Sequence, residues 1–404
     1  MTGLALEGGG ARGAYHMGAV KALYELGHKP NAVAGTSIGA LNGAFIVQGD
    51  MDTACGLWED MNPSLVFDVD DEMMEKLRGK ELDRETWSYF AGKVRDLIKN
   101  KGLSTTKIRQ LLELYIDEGK VRRSKMDLGI VTVSLSDRKP LELFMQDIPA
   151  GQLHEYLMAS AYLPAFRMER LNGKYYLDGG FYDKCPVEML ARKGCGKIFA
   201  IHVTPTRDRS NYDADVTHIN PSENLGGILA FEGNRTRKNM KMGYYDTIRS
   251  LKGYRGRLYC IVPPKEDACL SALLSLPGER IKNTGELFGL ADMEPRRMLL
   301  EKIVPSIAGI LKLEQGATYA DILAGMVEQM AAEAGIDRFA IYTFPDLLGL
   351  VRSNFHKVKD GGLPPVIADL AQKSNLAALL ARDMTLKKAF SEMFDGMEVK
   401  RFTA

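Results

Sequence analysis

Two short apolar runs near the amino terminus, Gly3-Leu4-Ala5-Leu6 and Ala32-Val33-Ala34, each run straight into a glycine-rich turn that opens a helical pattern. Strands that alternate with helices in this way build βαβ units, because parallel neighbours need a crossover that packs on the sheet. Strand patterns return at 128–135, 141–144, 175–177, 198–203 and 258–262. The charged, helix-like stretch 51–124 between them reads as an insertion covering the sheet, with Ile108, Leu111, Leu112 and Tyr115 at helical spacing. After Pro263-Pro264 the chain turns rich in Ala, Leu, Met and Glu, with helical patterns at 301–313, 320–334 and 367–394. The expected organisation is therefore an α/β domain over 1–264 and a mainly helical subdomain over 265–404. Pro364-Pro365 suits the first turn of the last helix.

A chain of 404 residues buries a large core without disulfides or metals. Its formal net charge of +1 and the absence of a recognisable binding module argue against a nucleic-acid partner. The five cysteines, Cys55, Cys185, Cys195, Cys260 and Cys269, form no zinc-type spacing, so free thiols in a reducing, cytoplasmic setting are expected and no metal is. No uncharged apolar run reaches the ~20 residues of a membrane span, and with a strand-like run at the start and no basic region before it, a cleaved secretory signal is not expected.

The first turn is Gly8-Gly9-Gly10-Ala11-Arg12-Gly13. Glycines there let backbone N–H groups converge on an anion at a helix amino terminus. The same letters fit a dinucleotide fingerprint, but that reading needs an acidic residue at the end of the second strand. Here that strand ends in Gly35-Thr36-Ser37-Ile38-Gly39, a G-x-S-x-G between strand and helix. Gly35 and Gly39 permit the sharp turn that lifts the Ser37 hydroxyl out of the sheet.

A serine nucleophile needs a base. Among the histidines after Ser37, His154, His218 and His356 lack a strand-end setting, and His202 reads as a core or strand-end residue held in reserve. Asp178 is the better candidate, a carboxylate ending a strand and followed by Gly179 and Gly180. A second Asp-Gly-Gly, at Asp360, has no strand before it and reads as a loop.

Taken in order, the loop at Gly8, the elbow at Ser37 and the Asp178-Gly179-Gly180 turn resemble the patatin-like phospholipase family, as does Ala159-Ser160-Ala161-Tyr162-Leu163-Pro164-Ala165-Phe166. The resemblance covers about 1–262. It implies a three-layer α/β/α fold with a mostly parallel central sheet. It also implies a Ser37–Asp178 dyad without histidine, an oxyanion hole at Gly8 to Gly13, and hydrolysis of lipid acyl esters without metal or cofactor. One departure stands out, since Lys184 occupies a position where the family commonly has asparagine.

The expected activity is that of a phospholipase A or lysophospholipase acting through an acyl-enzyme on a lipid substrate, with peripheral membrane contact. The basic stretch Arg235, Arg237, Lys238, Lys241, Arg249, Lys252, Arg255 and Arg257 is one candidate for that contact, although a solvated helix face explains it more simply. Arg12 would brace the glycine loop or meet a lipid phosphate. The competing readings are acyl transfer on the same dyad, a dinucleotide-dependent oxidoreductase, and a non-catalytic lipid-binding module.

Overall fold

The computed structural model describes residues 1–67, 102–206, 210–290, 293–359 and 387–402. The middle of the 51–124 insertion, Asp360, Pro364-Pro365 and most of the 367–394 pattern lie outside them. The chain divides into two compact units, Met1–Thr247 and Ile248–Ala404.

The first unit opens with β1 (Thr2–Leu6), α1 (Ala14–Glu25), β2 (Ala32–Thr36) and α2 (Ile38–Gln48). The described ends of the insertion form α3 (Met51–Glu59), α4 (Pro63–Val66), α5 (Thr106–Tyr115) and α6 (Glu118–Arg123). Then come β3 (Asp127–Ser134), β4 (Lys139–Phe144), α7 (Leu153–Ser160), β5 (Tyr176–Asp178), α8 (Val187–Arg192), β6 (Lys197–Ile201) and β7 (Asp215–Ile219). A long helix, α9 (Gly233–Lys252), starts in this unit and ends in the next.

The strands form one sheet in the order β4-β3-β2-β1-β6-β7. Neighbours from β3 through β7 are parallel, whereas β4 and β5 both run antiparallel to β3. Alternation along each strand sends side chains to opposite faces. Ala5, Ala34 and Ala200 pack with Met189 and Leu190 of α8, while Leu6, Val33 and Leu128 surround Gly43 of α2. Helices thus cover both faces of a mostly parallel sheet, the three-layer arrangement that the sequence implies. The strand β7 has no counterpart among the sequence patterns, because Asp-Val-Thr-His-Ile is a half-buried edge strand with little apolar signal.

The register on β3 decides which strand ends meet. Its one edge pairs first with β2, ending at Thr36 opposite Val131, and then with β5, where Asp178 lies opposite Thr132. Adjacent residues of β3 therefore bring together the carboxyl ends of two strands far apart in sequence.

In the second unit β8 (Cys260–Val262) pairs in parallel with β9 (Ile341–Thr343), so the 258–262 pattern belongs to a two-stranded sheet of its own. Around it pack α10 (Glu266–Leu274), α11 (Gly278–Leu287), α12 (Pro295–Met298), α13 (Val304–Ile310), α14 (Tyr319–Glu333), α15 (Phe344–Lys359) and a helical segment at 387–396. The core includes Leu273, Leu299, Ile307, Leu323, Val327, Phe344 and Phe390. The buried Glu328 carboxylate on α14 accepts from the N–H groups of Arg257, Leu258 and Tyr259, which holds the chain that leads into β8. Among the described residues, no helix is long and apolar enough to cross a membrane.

Candidate active site

Ser37 sits at the turn between β2 and α2 with φ 55° and ψ −126°, a conformation that an L-residue adopts only under constraint. The turn is sharp because α2 presses onto β1; a Cβ on Gly39 would lie 2.2 Å from the Leu6 carbonyl oxygen. Gly35, just before the turn, contacts the Gly39 backbone in the same way. Ser37 is 6% exposed and Asp178 4%.

Burial pushes the Asp178 carboxyl above the usual carboxylate range, partly offset by the Ser37 hydroxyl and the Gly180 N–H. The Gly180 N–H donates to Oδ1 at 2.7 Å. Oδ2 is buried and accepts no fully formed hydrogen bond from the described residues, although the Ser37 side chain is near enough to act on the carboxyl. The structure thus brings Ser37, Asp178, Gly179 and Gly180 together.

The glycine loop lies against the same turn, with the Cβ position of Gly8 3.3 Å from Ser37 Cβ. Its N–H groups are not equivalent. Gly8 donates to the Lys184 carbonyl at 2.9 Å, Ala11 to Ile228 at 2.8 Å and Arg12 to Gly9 at 3.3 Å. The N–H groups of Gly9 and Gly10 have no hydrogen-bond partner among the described residues. Gly10 has φ 57°, and a Cβ there would stand 2.0 Å from the Ile228 carbonyl oxygen, so only glycine fits. Arg12 braces the loop by donating from Nε to the Gly226 carbonyl at 2.8 Å and from Nη1 to Thr204 Oγ1 at 3.3 Å. The Gly13 carbonyl accepts from Asn42 Nδ2 at 2.9 Å.

Lys184 is accommodated because backbone atoms do the local work. The Asp183 carbonyl accepts from Thr36 Oγ1 at 2.8 Å, and the Lys184 carbonyl holds Gly8.

None of the histidines meets Ser37 through a hydrogen bond among the described residues. His202 lies between the Glu7 carboxylate, 3.5 Å from Nδ1, and His218, whose Nδ1 is 2.9 Å from its Nε2. Burial works to raise the Glu7 pKa, but hydrogen bonds from His202, Val203 and Thr204 hold it below the usual value. His154 bonds the Ile116 carbonyl. His356 falls on α15, and its side chain is outside the described set. His16, ahead of Ser37 in the chain, is fully buried against Asn42, and burial lowers its pKa to about 4.

Ser37 opens onto a pocket of about 980 Å³, its mouth included. The walls come from α2 (Ile38, Leu41, Phe45), α3 (Leu57, Trp58), α4 and the residue after it (Leu65, Phe67), α5 (Ile108, Leu111), and the loop residues Leu163, Phe166 and Ile228. Among the described residues, Asn42 and the Trp58 indole N–H are the other polar groups of its lining; Asn42 donates to the Gly13 carbonyl and accepts from Trp58 Nε1 at 3.1 Å. No cluster of His, Cys, Asp or Glu among the described residues could hold a metal ion.

Residues 4–191 match the family model for patatin-like phospholipase. The chain carries a patatin-like phospholipase domain. It is similar to lysophospholipase NTE1 of Kluyveromyces lactis, with 25% identity over 297 residues, 66% of this chain and 17% of that protein. It is also similar to neuropathy target esterase sws of Drosophila melanogaster, with 27% identity over 311 residues, 71% of this chain and 19% of that protein. The patatin-like phospholipase domain-containing protein ZK370.4 of Caenorhabditis elegans is 26% identical over 283 residues, 65% of this chain and 18% of that protein. The chain therefore spans less than a fifth of the length of these relatives. The patatin-like domain contains Ser37, Asp178 and the glycine loop, and leaves β6, β7 and α9 beyond its matched end.

Residues that the sequence motifs do not single out also shape the site. Ser160 Oγ accepts the Ser37 N–H at 2.9 Å, Thr132 Oγ1 reaches the Ala159 carbonyl at 2.9 Å, and Glu7 holds the Val203 and Thr204 N–H groups at 2.6 and 3.1 Å. Hydroxyls aimed at backbone leave no spacing signature. The nearest hint is the small-residue run beginning at Ala159.

Proposed function

We propose that this protein hydrolyses acyl esters of lipids, with Ser37 as nucleophile and Asp178 as its base. The observation that carries the reading is a buried serine that opens onto an apolar pocket, with a buried carboxyl, Asp178, near enough for its hydroxyl to act on. In the proposed reaction Ser37 Oγ attacks the ester carbonyl while Asp178 takes its proton. The tetrahedral oxyanion receives the N–H groups of Gly9 and Gly10, the two of the loop without a hydrogen-bond partner among the described residues; a donor of this kind is typically worth ~2.7 to 4 kcal/mol of barrier. Collapse expels the alcohol, which leaves with the proton from Asp178. Asp178 then deprotonates a water that attacks the acyl-serine, and the fatty acid departs. The names of the relatives, a lysophospholipase and an esterase, agree with a glycerophospholipid or lysophospholipid as substrate.

The test is hydrolysis of a short-chain nitrophenyl ester and of phospholipid by the wild type, Ser37→Ala and Asp178→Asn. Both variants should lose at least roughly 10³-fold in kcat on both substrates. Full activity in Ser37→Ala would overturn the reading.

Contact with a lipid surface fits the exposed apolar side chains near the Asp178 turn and at Ile228 better than the basic stretch. In that stretch Lys238 pairs with Glu223 at 2.9 Å, Arg255 with Asp321 at 2.9 Å, and Arg237 donates to the Glu59 carbonyl and Asn234. Phe181 and Tyr182, just beyond Gly180, are 63% and 52% exposed, and the pocket-lining Ile228 is 43% exposed. Exposed aromatics of this kind suit an interface. Replacing Phe181 and Tyr182 by Asp should depress hydrolysis of phospholipid vesicles while sparing the soluble ester. Equal loss on both substrates would remove the idea.

A further inference from the structure

Ser160 closes α7 and is fully buried, yet it takes no part in the chemistry above. Its hydroxyl is engaged both ways: Oγ accepts from the Ser37 N–H at 2.9 Å and donates to the Val131 carbonyl at 2.6 Å. With its proton given to a carbonyl and a lone pair given to an amide, it is neither a nucleophile nor a base. What it holds is unusual, because Ser37 is the residue with φ 55° and ψ −126°, and a backbone in that region persists only when its surroundings fix it.

The same short segment holds the partner of Ser37. The Tyr162 carbonyl accepts the Asp178 N–H at 2.9 Å. Thr132 Oγ1 donates to the Ala159 carbonyl at 2.9 Å and contacts that of Leu177 at 3.2 Å. Residues 159, 160 and 162 therefore tie β3, Ser37 and Asp178 to one another, at the point where Val131 and Thr132 are the register partners of Thr36 and Asp178.

We propose that Ser160 is a positioning residue whose hydroxyl, by accepting the Ser37 N–H, holds the nucleophile's backbone in its constrained conformation and so keeps Ser37 Oγ aimed at Asp178. The proposal rests on the Ser37–Asp178 reading above. It acts through Ser37 alone, since the Asp178 carboxyl is held by Gly180 and not by Ser160.

The experiment uses the full chain with Ser160→Ala, a soluble ester and a fluorophosphonate that labels activated serines. Wild-type Ser37 should label. In Ser160→Ala, kcat and the labelling rate should fall together by about 10- to 100-fold, as expected for a misplaced reacting group. KM should stay within about twofold, because Ser160 does not line the pocket. Wild-type kcat in Ser160→Ala overturns the proposal. So does a loss of kcat accompanied by a KM raised to a similar extent, which is the mark of a loosened site. Ser160→Cys fills similar space with a poor acceptor and covers the case in which the alanine variant does not accumulate; wild-type kcat there overturns the proposal equally. Failure of wild-type Ser37 to label would instead remove the dyad on which all of this rests.

Discussion

A carboxylate that is to take a proton from a serine gains from being short of solvent, and Asp178 is short of it. Its folded pKa lies above the ordinary value of 3.8, chiefly through burial. The native state therefore keeps the Asp178 proton through a pH window just above 3.8 in which the unfolded chain has lost it. Across that window stability falls as pH rises, and at neutral pH the ionised group is a net destabiliser. Asp178→Asn should accordingly melt above the wild type at roughly pH 7, and the difference should shrink as pH falls below 3.8; a lower melting temperature at neutral pH would contradict this. With Asp178 as the proposed base, the same shift is expected to place the acid limb of kcat/KM above the ordinary aspartate value. Ser37, Asp178 and the glycines are legible in the sequence because the chemistry and the tight backbone allow so few residue types. Thr132 and Glu7 are not, and Ser160 is marked only as part of the run that begins at Ala159, with no role attached, since a hydroxyl or carboxylate that serves backbone N–H and C=O groups can come from any register.

The elements show why glycine spacing carries so much of the sequence signal. α2 lies so close to β1 that a methyl group on Gly39 would meet the Leu6 backbone rather than a side chain that could yield. Gly39→Ala should cost at least ~1–3 kcal/mol in denaturant unfolding, as overpacking against fixed atoms does. Gly56, inside α3 with nothing within 4 Å of its Cβ position, is the control. Gly56→Ala should be neutral or stabilise by up to ~1 kcal/mol through helix propensity. Comparable losses in the two variants would refute the packing argument. The strands with continuous apolar character are readable, and β7 with its polar alternation is not. Nothing in the Tyr-Leu-Asp of β5 announces that it continues the edge of β3 where β2 stops, and that pairing is what brings Asp178 to Ser37.

At the scale of the molecule, the composition change after Pro263-Pro264 suggests a boundary at 264/265, whereas the compact units divide after Thr247. The physical reason is that α9 runs through the division without a proline or loop to mark it. β8 is readable as a strand but not assignable to a sheet, since its partner, β9, lies some eighty residues on in a stretch dominated by helix.

One helix also supplies a ruler. Ser37 caps α2, and Ile38, Leu41 and Phe45 lie along the flank that faces the pocket. At 1.5 Å per residue, Leu41 stands about 6 Å and Phe45 about 12 Å beyond the nucleophile. On the proposed mechanism an acyl chain attached to Ser37 would be counted off in turns of α2, and the acyl length accommodated would be set by which turn carries the bulk.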